Sequence, residues 1–198
     1  MTNATEKLKD GAAALQEADA AVTQTVLPVQ HSRFVRIAGT ISEIADQPQM
    51  RSLSAALIAV GLLGRHRRLA RAGIRMLIAH ELATATKNFV KNRVDRTRPR
   101  SLDDGEEPRL RPGDNHDKEE TSFPSGHSAG AAATARAFAR EFPEYRIPAY
   151  AGAGLVSIAQ VPRCAHYPTD VGAGLAVGLA SEAVVAWLFP GPRGERDQ

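Results

Sequence analysis

His127 and His166 each sit in a segment whose residue types suit phosphate chemistry. The first runs Phe123, Pro124, Ser125, Gly126, His127, Ser128 and precedes an Ala-rich stretch with helical character. The second runs His166, Tyr167, Pro168, Thr169, Asp170 and leads into an apolar helix candidate. A third, from Lys91 through Arg93, Arg96 and Arg98 to Pro99, concentrates positive charge. Two imidazoles, a carboxylate four residues past the second, and a Lys/Arg cluster can make a metal-free phosphoryl-transfer site.

Such a reaction needs a nucleophile, charge stabilisation on the equatorial oxygens and an acid for the leaving group. His127 is the candidate general acid. Asp170 lies one helical turn past His166, about 6 Å along the axis, and can fix the imidazole tautomer; the same pair could also do no more than cap a helix. Ser125 reads as an N-cap, and the free amides that follow it, with Gly126 allowing close approach, suit a phosphate. The plainer alternative is an ordinary cap beside an exposed His127. Lys91 and Arg98 would neutralise the phosphate, Arg98 as a bidentate fork. Arg93, Arg96 and Arg100 read as solvated or headgroup-contacting groups.

Other histidines read as bland. His80 with Glu81 lacks the second histidine of a zinc-protease helix, and His31, His66 and His116 belong to no pattern. There is no Walker-type loop or Cys/His zinc spacing, so no metal and no cofactor is implied. The single Cys164 rules out an internal disulfide framework.

The elements that must position these residues are helical. Ala- and Leu-rich runs, with aromatics at 5%, favour closely packed helices over sheets. The expected architecture is an all-α bundle of about six helices with the active site at one end. Periodicity and breakers predict helices over about 1–30, 33–45, 69–92, 126–141, 147–160 and 169–189, and an apolar run over 52–64. Residues 1–45 form an N-terminal amphipathic segment, 46–190 the core and 191–198 a polar tail. The acidic stretch 103–120, with Pro108, Pro112 and Gly113, reads as a solvated surface loop. The net charge of +3 gathers in two basic knots, Arg65–Arg71 and Lys87–Arg100, without the interleaved aromatics expected of a nucleic-acid binder.

A membrane span needs about 20 apolar residues. Residues 171–189 approach this with one charge, Glu182, and carry Gly174 and Gly178 as a small-residue packing face. The helix over 69–92 carries Arg71, Arg75, His80, Glu81 and Lys87, and the mean hydropathy is only −0.27. No N-terminal pattern predicts a cleaved secretory signal. With the Arg65–Arg71 knot placed on the cytoplasmic side, up-and-down helices bring all three motif segments to the opposite face. A multi-pass protein of the cell membrane is the expectation, with a soluble cytoplasmic bundle as the alternative. Nothing in the sequence bears on oligomeric state.

Together the three segments resemble the type 2 phosphatidic acid phosphatase family, which shares its helical core with vanadium haloperoxidases and bacterial non-specific acid phosphatases. Lys91, Arg98 and Pro99 match its first motif, Pro124 to His127 its second, and His166 with Asp170 the latter half of its third. The resemblance implies that His166 is the nucleophile, forming a phosphohistidine, and that the substrate is a phosphorylated lipid of phosphatidic acid, phosphatidylglycerol phosphate or polyprenyl phosphate type. Alternatives are a small soluble phosphate ester, or phosphate binding without turnover. The last arises because the family's third-motif arginine falls on Gln160. Arg163, three residues on, is the candidate replacement.

Overall fold

The computed structural model describes residues 2–102 and 109–190. Its α-helices are α1 (Thr2–Val26), α2 (Arg33–Ser42), α3 (Gln47–Leu63), α4 (Arg67–Lys91), α5 (Gly126–Glu141), α6 (Arg146–Ile158) and α7 (Pro168–Leu188). The expected all-α bundle is the fold, with seven helices among the described residues. The expected tail, 191–198, lies outside them.

Two differences from expectation have simple causes. The apolar run over 52–64 extends back to Gln47, because Pro48 falls in the first turn, where a missing N–H costs nothing. The acidic stretch is not simply a solvated loop. Its described part forms a strand, β2 (Leu110–Pro112), antiparallel to β1 (Val94–Arg96), pairing Val94 with Pro112 and Arg96 with Leu110. A 3₁₀ turn over Lys118–Glu120 follows, and the Arg98 amide donates to the Glu119 carbonyl at 2.8 Å. The acidic segment thus folds back on the basic one. Residues 103–108 lie outside the described part.

Helix α5 is the axis of the bundle. Ala129, Ala131, Ala132, Ala133 and Ala137 are buried around its circumference, so small side chains let α4, α6 and α7 approach from different sides. Met76, Ala79 and Ala83 of α4 and Val185 of α7 complete the main apolar cluster. The α5–α7 contact is the tightest constraint on the site. A Cβ at Gly174 would lie 2.4 Å from the Ser125 carbonyl oxygen, and one at Gly178 would lie 2.3 Å from that of Ala129. Only glycine permits this spacing, which sets the first turns of α5 and α7 side by side. Where several spans were expected, one helix among the described residues, α7, is long and apolar enough to cross a membrane by length and composition.

Gly174→Ala is expected to destabilise the fold by about 2 kcal/mol, the range for overpacking against backbone that cannot yield. Chemical denaturation would show this as a lowered midpoint. An unchanged midpoint would mean that the two helices can separate freely.

Candidate active site

Lys91 closes α4, and its Nζ donates to the Thr121 carbonyl. Arg98 follows β1 and is buried. Its Nε donates to the Lys118 carbonyl and its Nη1 to the Ala165 carbonyl, both at 2.7 Å. The same Nη1 stands 3.4 Å from His166 Nε2. Backbone carbonyls of the folded-back acidic segment therefore aim both cations.

His166 lies in the turn between α6 and α7 and is 4% exposed. Its Nδ1 faces Asp170 Oδ2 at 3.6 Å, beyond hydrogen-bond length. Asp170 is itself firmly held. Its Oδ1 accepts from Arg96 Nη1 at 2.5 Å, and its Oδ2 accepts from the Tyr167 amide at 2.9 Å and from the Ser122 hydroxyl. Asp170 both caps α7 and stands behind His166.

At the head of α5, the Ser125 hydroxyl accepts from the Ser128 amide at 3.4 Å. Ser125 is fully buried and faces its own helix turn rather than open space, whereas Gly126 and His127 border the cavity. His127 Nε2 is 2.8 Å from Asp46 Oδ1, a carboxylate just before α3. Lys91, Arg98, Gly126, His127, Arg163 and His166 line one cavity of about 230 Å³. The histidine, cation and glycine candidates thus converge, with Asp170 and Ser125 behind the wall. A larger cavity, about 440 Å³, lies between α1 and the β1–β2 pair with apolar walls such as Leu15 and Phe123. It holds neither histidine, so the smaller polar cavity is the chemical one.

Gln160 and Arg163 share that cavity. Gln160 is fully buried; its Nε2 donates to the Val156 carbonyl at 2.9 Å, while its Oε1 has no partner. Helix α6 stops at Ile158, and the turn through Pro162, with Cys164 at φ +50°, swings Arg163 inward. Arg163 Nη1 donates to Ser42 Oγ at 2.7 Å, and its Nη2 lies 3.8 Å from Glu43.

One sequence reading is corrected outright. Arg96 is neither solvated nor positioned for headgroups: it is 2% exposed and clamps Asp170. Other cavity residues were not among the site candidates. Lys87, Thr84 and His80 run along α4 from Lys91 at intervals of three or four residues, and all line the cavity. That periodicity was the available signal, since such positions share a helix face. Asp46 offered none, standing just past the helix expected over 33–45.

The same helical arrangement occurs in two solved structures. One is a transmembrane PAP2 type phosphatidylglycerolphosphate phosphatase from Bacillus subtilis, with a TM-score of 0.65 and 23% identity over 88% of this chain and 86% of that one. The other is LpxE from Aquifex aeolicus, at 0.59 and 15% over 85% and 94%. At these identities the likeness is one of fold. The chain belongs to the PAP2 superfamily: that family's model matches residues 72–193, which contain all three motif segments. It is also similar to proteins named lipid A 1-phosphatase from Rhizobium johnstonii, 39% identical over 52% of this chain, and Rhizobium etli, 42% over 46%. These matches span 41% and 39% of the relatives' own length.

Two expectations follow. Burial above all, with Arg98 and Lys91 adding and Asp170 opposing, holds the His166 imidazole down to about 4. Its neutral form therefore persists well below neutrality, and if that form carries the reaction, kcat/KM should show an acid limb near pH 4. The unfolded chain takes up this proton near the ordinary value of 6.5, before the native chain does. The His166 contribution to stability accordingly falls as pH drops from about 6.5 towards 4. An acid limb near 6.5 would show an imidazole far less buried. Second, Arg163→Ala should cost at least about tenfold in activity, the lower scale for one stabilising charge, and adding Gln160→Arg should restore part of it. A silent Arg163→Ala would leave Arg163 outside the reaction.

Proposed function

We propose that this chain is a phosphoric ester hydrolase that removes phosphate from a lipid through a phosphohistidine intermediate. The observation that carries this reading is His166 Nε2, 3.4 Å from the Arg98 guanidinium on a cavity that it shares with His127 and Lys91. His166 Nε2 attacks phosphorus while His127 gives its proton to the departing oxygen. His127 then takes a proton from water, whose oxygen attacks the phosphohistidine and frees phosphate and His166. Lys91, Arg98, Arg163 and the amides of Gly126 and His127 stabilise the equatorial oxygens. Asp170 orients the nucleophile, and Asp46 holds His127 in its donating orientation. Ser125 contributes as the cap that fixes those amides.

The lipid part rests on the outer surface. Leu63 of α3, Ile147, Leu155 and Ile158 of α6 and Trp187 of α7 are each between 68% and 87% exposed, far more apolar surface than water favours. Helix α7, at 21 residues, is about 31 Å long, close to the hydrocarbon thickness. We place the chain in or on the cell membrane, with the 46–190 core holding the site and the 1–45 segment packed beside it. The named activities of the Rhizobium and Bacillus proteins point the same way.

Phosphate release from vesicles carrying phosphatidic acid, phosphatidylglycerol phosphate, polyprenyl phosphate or a lipid A phosphate tests this reading. Release should survive excess chelator, be inhibited by vanadate, and vanish in His166→Ala. Lys91→Ala should lose about 10²–10³-fold. His127→Ala should retain more activity on aryl than on alkyl phosphates, because an aryl leaving group needs little protonation. Phosphate binding with no release from any substrate would favour the non-catalytic reading that Gln160 raises.

A further inference from the structure

Helix α1 docks by an unusual route. Among its described side chains the two most buried are polar, Asp19 and Thr23, one turn apart, while Leu15 and Val22 remain largely exposed. An amphipathic helix held by the hydrophobic effect would show the reverse. The reason for the inversion lies at the start of α7. Asp19 Oδ2 accepts from Arg96 Nη2 at 2.6 Å and from the Thr169 hydroxyl, and Asp19 Oδ1 accepts from the Thr169 amide at 3.1 Å. The other arm of the same guanidinium, Arg96 Nη1, donates to Asp170 Oδ1 at 2.5 Å and to Thr169 Oγ1 at 2.7 Å. The guanidinium carbon sits 4.2 Å from the centre of the Tyr167 ring. Asp19, Arg96 and Asp170 are each 2% exposed or less.

We propose that Asp19 is a positioning residue for the His166–Asp170 pair, acting through Arg96 and Thr169. The proposal rests on the phosphohistidine reading above. Arg96 is a cation shared between two carboxylates, one from each end of the chain. Because Asp19 occupies one arm of the fork, Arg96 meets Asp170 through Oδ1 alone, and Oδ2 keeps its direction towards His166. With Asp19 gone, the fork is free to take both Asp170 oxygens, and the Thr169 amide loses its acceptor at the first turn of α7. Both changes draw Asp170 away from the imidazole.

The test is a double-mutant cycle on the full chain, reading kcat per vanadate-binding site and the affinity for orthovanadate, which mimics five-coordinate phosphorus. Asp19→Asn keeps size and removes charge. It should lower kcat per site by about 10- to 100-fold, with KM changed less than about threefold, and weaken vanadate by about tenfold, in the range of coupled neighbouring groups. In the Asp170→Asn background, Asp19→Asn should have almost no further effect, and Asp19→Glu should recover part of the loss. If Asp19→Asn does not fold, Thr169→Val, which removes one hydroxyl from the network, should give a smaller loss with the same non-additivity. Full kcat per site in the single variant, or losses that multiply in the double variant, would overturn the proposal and leave Asp19 a packing residue. If the unaltered chain binds vanadate but releases no phosphate from any substrate, the hydrolase reading fails by itself. The vanadate cycle then still decides the role of Asp19.

Discussion

The site depends on how closely α5 and α7 can approach. Two glycines on α7 meet backbone carbonyls of α5, and that contact fixes the distance between two helix starts rather than between two apolar faces. His127 rides on the first turn of one helix, and His166 immediately precedes the other. A wider spacing would leave each histidine with its own local partners but with no common phosphorus to act on. The Ala-rich circumference of α5 serves the same end, because a central helix with large side chains would hold its neighbours apart.

Around that spacing the electrostatics are arranged in layers. The cavity itself is rich in cations, which suits a dianionic phosphate and adds to the burial that keeps His166 uncharged. Directly behind it, Asp170 supplies the opposing carboxylate, and behind Asp170 stand Arg96 and then Asp19. Alternating signs limit the cost of burying these charges, since Arg96 meets both Asp170 and Asp19 within hydrogen-bond distance. The aiming of Lys91 and Arg98 is done by carbonyls of Lys118, Thr121 and Ala165, all in connecting segments. The loops are thus structural parts of the site, and the helices supply the frame.

Much of this was legible in the sequence, and the limits have physical reasons. Helix existence followed from periodicity and breakers, and α5 was bounded correctly because Ser125 and Pro143 are strong local signals. His127, His166, Lys91 and Arg98, which line one cavity, stand out in the sequence by type and spacing. Arg96 was misread, because a sequence shows a cation beside other cations and not the two carboxylates, Asp19 and Asp170, that neutralise it from distant helices. The pairing of β1 with β2 was missed for a related reason: three-residue strands carry almost no periodic signal, and their partner lay in a stretch dominated by charge. Asp46 came to the cavity through tertiary packing alone.

The contact between Asp19 and Thr169 joins residues 150 positions apart. A ribosome delivers the two ends far apart in time. The helix made first must wait for the helix made last. Until α7 is in place, Arg96 lacks Asp170, the carboxylate from that side of the bundle, and Asp19 lacks Thr169. A chain that stops short of α7 therefore carries the first two motif segments without Thr169 and Asp170, the groups that join Arg96 and Asp19 to the wall behind His166.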